Sequence, residues 1–228
     1  MSIAGKLTTI AENMPKVYES GQQSEYDRFW DTFQQNGKRT NYMYGFGGKG
    51  WSDKNFKPKY DMFPFYAAGM FRETTIEDLK QCLEACGVSL GLSSVSNCSY
   101  LFYCSSITTL PKIHLYSMTS AAYMFASSNL QSIEELDVWV NTTFTASSFS
   151  NCTELKRLIM KGTLATNGLN LHWSTLLDRE SLLSIIYCLK DYSTDITSSW
   201  TVTLGPENLA KLTDAEKAIA TQKGWTLL

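Results

Sequence analysis

Tyr123-Met124-Phe125-Ala126-Ser127-Ser128-Asn129-Leu130-Gln131-Ser132-Ile133 is the clearest copy of a box that recurs through the middle of the chain, a Phe followed by an aliphatic pair spaced three apart. The other copies are Phe71 with Ile76 and Leu79, Phe102 with Ile107 and Leu110, and Phe149 with Leu155 and Leu158. The leading aliphatics stand 31, 23 and 25 residues apart. A self-similar period in the twenties with Leu-x-x-Leu in each copy is the pattern of a leucine-rich solenoid, because one unit cannot bury its own Phe and Leu whereas stacked neighbours can. Polar filler repeats with the boxes, as Asn97-Cys98-Ser99, Ser127-Ser128-Asn129 and Asn151-Cys152-Thr153. Such residues suit turns whose backbone groups need side-chain partners.

Outward from the boxes, the chain reads as α+β: N-terminal helices followed by a short leucine-rich-repeat solenoid with a C-terminal helix/strand cap. The expected divisions are an anchoring helical region with an aromatic and glycine-rich connector over 1–62, the solenoid over 63–177 and the cap over 178–228. Ile3, Leu7 and Ile10 share a helical face, and Tyr26, Phe29 and Phe33 form a second one after a break at Pro15. These six are the expected anchoring or oligomerisation residues, since such faces expose more apolar surface than a free helix tolerates. The spacing predicts a helix over 76–86 and short strands over 113–116, 136–140, 158–160 and 169–171. In the cap, Asp178 is positioned to start a helix, 200–204 reads as a strand, and Thr213-x-x-Glu216 is a capping box ahead of a last helix ending at Gly224. Residues 225–228 then close a sheet.

Strand alternation puts Ile113, Leu115, Leu136, Val138 and Val140 in the core. Counting from Leu110 and Ile133, the outward positions pair as Lys112 with Glu135, His114 with Asp137 and Tyr116 with Trp139. A charged row beside an aromatic row suits a glycan, because rings stack on sugar faces and charged groups fix orientation. Ordinary solvated strand positions are the competing reading.

Composition excludes several classes. With 43% hydrophobic and 18% charged residues the chain is globular, and a net charge of -2 without a Lys/Arg run gives no footprint for nucleic acid. No apolar run is long enough to span a membrane, and the alternating start Met1-Ser2-Ile3-Ala4-Gly5-Lys6 does not read as a secretory signal. Cys82, Cys86, Cys98, Cys104, Cys152 and Cys188 fall within the repeat and on apolar faces, so they are expected as free thiols rather than a disulfide framework. Gly45-Phe46-Gly47-Gly48-Lys49-Gly50 matches G-x-G-x-x-G, yet no apolar strand precedes it and no long helix follows, so a turned connector is expected instead of a nucleotide site. Cys82 and Cys86 lack a nearby His for a metal, and His114 and His172 lack a local nucleophile signature. No catalytic residue, cofactor or metal is expected.

The box at 123–133 resembles the repeat of BspA-like bacterial leucine-rich proteins, in which an MF-x-x-C/S-x-x-L-x-x-I core recurs. Two flanks sharpen the likeness: Glu25-Tyr26-Asp27-Arg28-Phe29-Trp30 with Gly50-Trp51 and Lys57-Pro58-Lys59-Tyr60, and the ending Leu209-Ala210-Lys211-Leu212-Thr213-Asp214 through Lys223-Gly224-Trp225-Thr226-Leu227. Together they are similar to leucine-rich proteins encoded with phage and prophage tail genes of gut Firmicutes. An insertion between Glu77 and Leu92 departs from the regular repeat. The resemblance implies a non-enzymatic binding protein of the virion. Its N-terminal part would hold other tail or baseplate proteins, with a homotrimer by analogy with phage fibres, and its repeat surface would touch a host cell-surface glycan or protein. A bacterial surface or secreted adhesin of the same type is the alternative.

Overall fold

The structure is a computed structural model, and it describes residues 67–195 and 197–228. The expected helices over 1–62, with Ile3, Leu7, Ile10, Tyr26, Phe29 and Phe33, lie outside the described residues, as does the connector. The described elements are α1 (Leu79–Cys86), β1 (Thr109–Leu110), β2 (Ile113–Leu115), β3 (Ser132–Val138), β4 (Arg157–Gly162), α2 (Arg179–Cys188), β5 (Trp200–Val202), α3 (Pro206–Leu209), α4 (Asp214–Gln222) and β6 (Trp225–Leu227). β1 and β2 both pair parallel with β3, which pairs parallel with β4, and β5 pairs parallel with β6.

This corrects the expected architecture. The described residues form an α+β arrangement of a few short helices and two small parallel sheets, not a leucine-rich-repeat solenoid with a C-terminal helix/strand cap. The larger sheet occupies only 109–162, and its neighbours along the chain meet through isolated bridges such as Asn97↔Ser120 and Leu164↔Leu189. Uneven boxes are the physical cause. The Phe leads its aliphatic by five residues in three copies but by six between Phe149 and Leu155. Correspondingly, the β3–β4 pairing shifts register between Ile133 and Leu136. One buried cluster runs from Ala67 to Trp225, and the Asp178 N–H donates to the Lys156 carbonyl.

The four box phenylalanines form the centre of that core. Phe71, Phe102, Phe125 and Phe149 are buried and stack in sequence, with centroids 5.6, 5.6 and 4.7 Å apart. The backbone around them is held by N–H groups of alternate residues, each donating to the next turn. Examples are Phe71 to the Leu101 carbonyl, Phe102 to Met124 and Phe125 to Ser148, at 2.8, 2.7 and 2.8 Å. To aim alternate donors one way, the residue two beyond each Phe takes a left-handed conformation: Glu73, Cys104, Ser127 and Asn151 have φ between 50° and 56°.

Helix ends follow local chemistry. Asp78 caps α1 through the Gln81 N–H at 2.8 Å, which places the helix start three residues later than the spacing predicted, and Gly87 at φ 65° ends it. Asp178 caps α2 as expected, accepting from Ser181 N–H at 2.7 Å. Thr213 and Glu216 form the expected capping box on α4. Two lysines bind backbone carbonyls: Lys223 Nζ donates to those of Ile186, Tyr187 and Leu189 at the end of α2, and Lys211 Nζ to those of Thr175 and Leu177.

Candidate functional site

The outer side of β2 and β3 carries the predicted pairs in register. His114 lies opposite Asp137, between the buried pairs Ile113↔Leu136 and Leu115↔Val138. Alternation therefore sends Lys112, His114 and Tyr116 outward beside Glu135, Asp137 and Trp139. Val140 departs from expectation: it is 37% exposed instead of core. The chain leaves the strand after Val138, where the Trp139 N–H donates to the buried Thr142 hydroxyl at 2.9 Å and that hydroxyl donates to the Leu115 carbonyl at 2.8 Å. This bridge holds Trp139 against the end of β2.

Contacts close each pair. Lys112 Nζ forms an ion pair with Glu135, and the hydrogen bond to that carboxylate raises the lysine pKa. The Tyr116 hydroxyl donates to Asp137 Oδ2 at 2.7 Å, and His114 Nδ1 meets the same oxygen at 3.0 Å. Because Tyr116 commits its one proton to Asp137, a His114 tautomer with the proton on Nδ1 fits both contacts. The same bond raises the Tyr116 pKa, since ionising the phenol would set it against a carboxylate. Tyr116 and Trp139 meet edge to face, centroids 6.0 Å apart, and are 40% and 54% exposed. Glu135 and Asp137 sit deeper than their partners, their side chains 22% and 18% exposed against 49% for Lys112 and 39% for His114.

The next strand extends the row, because Lys161 of β4 registers with Asp137. Gly162 follows at φ 83°. A Cβ there would stand 2.0 Å from the Val138 carbonyl oxygen and 2.9 Å from Asp137 Oδ1, so only glycine lets β4 approach the row this closely.

The arrangement sets two exposed rings beside a carboxylate held by two side chains. His172 lies elsewhere, against Trp173, with centroids 5.5 Å apart. The six cysteines are free thiols; Cys98, Cys152 and Cys188 are buried, and burial pushes the first two up to about 12 and Cys188 to about 11. Among the described residues, no group of three His, Cys, Asp or Glu side chains could hold a metal, and no helix is long and apolar enough to cross a membrane.

Sequence reasoning missed Thr142, Lys161 and a cluster of Tyr100, Tyr103 and Tyr123 on another side of the Phe column. A signal for the cluster was present: Tyr-x-Phe occurs at 100–102 and again at 123–125. No family model matches the chain, and no curated protein or solved structure does.

Proposed function

We propose that this protein is a non-enzymatic attachment component of a phage or prophage tail, holding a host cell-surface glycan against Tyr116 and Trp139. The supporting observation is the exposed edge-to-face pair of those rings, set beside Asp137, whose side chain is fixed by Tyr116 and His114. Rings offer a sugar its stacking surface, and a braced carboxylate accepts from sugar hydroxyls at little further entropic cost. In this reading residues 1–62 make the contact with other tail or baseplate proteins and assemble a homotrimer. The likeness of the two flanking stretches to proteins encoded with tail genes is what supports the tail setting.

Adsorption to intact gut Firmicutes cells tests the binding surface. Tyr116→Ala and Trp139→Ala should each lose adsorption while circular dichroism stays that of the parent. Undiminished adsorption by both folded variants would move the contact away from β2 and β3. Light scattering tests the assembly: the full chain should have three times the protomer mass and a chain lacking residues 1–37 the mass of one protomer, and two monomers would exclude the trimer.

A further inference from the structure

The second and third turns of the Phe column place tyrosine where the backbone favours glycine. Tyr100 and Tyr123 have φ 58° and 55°, and the equivalent residue of the first turn is Gly69 at φ 63°. The equivalence is fixed by the donor ladder, in which Gly69 N–H reaches the Ser99 carbonyl and Tyr100 N–H the Ala122 carbonyl. A bulky residue at left-handed φ is an outlier that the surrounding fold must hold in place, and such outliers gather at binding sites.

The rings form a shelf with a wall. Tyr100 and Tyr123 stack with centroids 5.1 Å apart at 14°, and Tyr103 stands across them at 75° and 88°. One end is closed by the Arg72 guanidinium, 5.7 Å from the Tyr100 centroid and 5.2 Å from that of Tyr103. Among the described residues the other end is open. The residue aligned with Tyr123 in the next turn is Ser147, too short to cover a ring, with its hydroxyl 2.9 Å from that of Thr145. The chain folds on itself there: Ser148 Oγ accepts from Thr145 N–H at 2.8 Å and donates to the Ala121 carbonyl at 2.9 Å. Among the described residues Tyr123 N–H makes no counterpart of the Tyr100 bond, and the hydroxyls of Tyr100 and Tyr123 have no hydrogen-bond partner. Tyr123 is 40% exposed.

We propose that the open face of Tyr123, the one turned away from Tyr100, is a subsite for a neutral sugar ring, separate from the face of β2 and β3. An uncovered ring face takes the flat C–H face of a pyranose. The hydroxyls of Tyr123, Ser147 and Thr145 at its margin exchange hydrogen bonds with sugar hydroxyls and give an ionised ligand no counter-charge. The Arg72 charge lies at the closed end and is paired with Glu73 at 2.9 Å.

The test uses the full chain and three neutral sugars at millimolar concentration: chitotriose, maltotriose and mannotriose. Saturation-transfer NMR on the parent should show transfer to at least one. Tyr123→Gly, which accepts the local φ without strain, should abolish the transfer while leaving the unfolding midpoint near that of the parent, and Trp173→Ala, at an exposed ring on neither face, should retain it; Trp139→Ala reports on the β2 and β3 face. Tyr123→Asn serves as a second ring-free variant that tolerates the same φ. Transfer from none of the sugars, or transfer that survives loss of the Tyr123 ring, overturns the subsite. So does loss confined to Trp139→Ala, which would place the sugar on the other face. If neither Tyr123 variant folds, the tyrosine serves the core and the proposal fails.

Discussion

The Phe column and the outer rows of β2 and β3 use the same stacking of turns in opposite ways. Inside, like meets like: Phe71, Phe102, Phe125 and Phe149 repeat one side chain at each level. Outside, unlike meets unlike: Lys112 with Glu135, His114 with Asp137, Tyr116 with Trp139. Packing explains the first pattern, since a buried ring leaves one shape that fits above and below it. It does not explain the second, because exposed neighbours on a sheet need only avoid repulsion. The outer rows are therefore the part of the contrast that packing leaves open, and the proposed glycan contact rests on them.

The largest effect expected from that contrast is inside. Phe125→Ala removes a ring held between two others, and should lower unfolding free energy in urea by about 3–5 kcal/mol. A loss below about 1 kcal/mol would mean the column is not the core. Next comes the point where inside and outside touch. Gly162→Ala drives a Cβ into the Val138 carbonyl at φ 83° and should cost roughly 1–3 kcal/mol, with weakened amide protection in β3 and β4 by hydrogen exchange. Wild-type protection would show that β4 can draw back without loss. Outside, Lys112→Ala breaks a solvent-facing ion pair and should change stability by under about 1 kcal/mol. A larger loss would make the outer rows structural.

The smallest expected effect depends on pH. Glu216 is held below its ordinary value of 4.5, first by the Thr213 backbone N–H and also by the Thr213 hydroxyl and Arg179. A carboxylate with a depressed folded pKa stabilises fully above its unfolded value and loses that contribution as pH falls through the folded one. Glu216→Gln should therefore lower Tm relative to the parent at pH 7, with the gap narrowing below pH 4.5. A gap constant across that range would assign the effect to the hydrogen bonds alone.

The Phe column was legible because its residues are apolar and periodic, and the helix starts at Asp178 and Thr213 because capping chemistry is local. The outer pairs were legible because β2 and β3 keep an offset of 23 residues, the same as that between Ile107 and Leu130. Where spacing varied, the reading failed. The additional residue between Phe149 and Leu155 interrupts the regular stacking on which the solenoid expectation rested. Val140 was misplaced because its exposure is decided by Thr142, a polar residue whose burial no hydropathy pattern signals. The left-handed tyrosines were hidden for a related reason: a tyrosine's φ leaves no mark on periodicity. Nothing in the sequence marks Lys211 and Lys223, yet both bind carbonyls across 34 to 37 residues of chain.

The central claim is that the exposed rings of β2 and β3 bind glycan while contributing little to the fold. Titration calorimetry of wall polysaccharide purified from host cells into the parent and Trp139→Ala, with urea unfolding of both, measures the two halves together. The account predicts an affinity loss of at least about tenfold, equivalent to about 1.4 kcal/mol, with an unchanged unfolding midpoint. Equal affinity in the two proteins would contradict it.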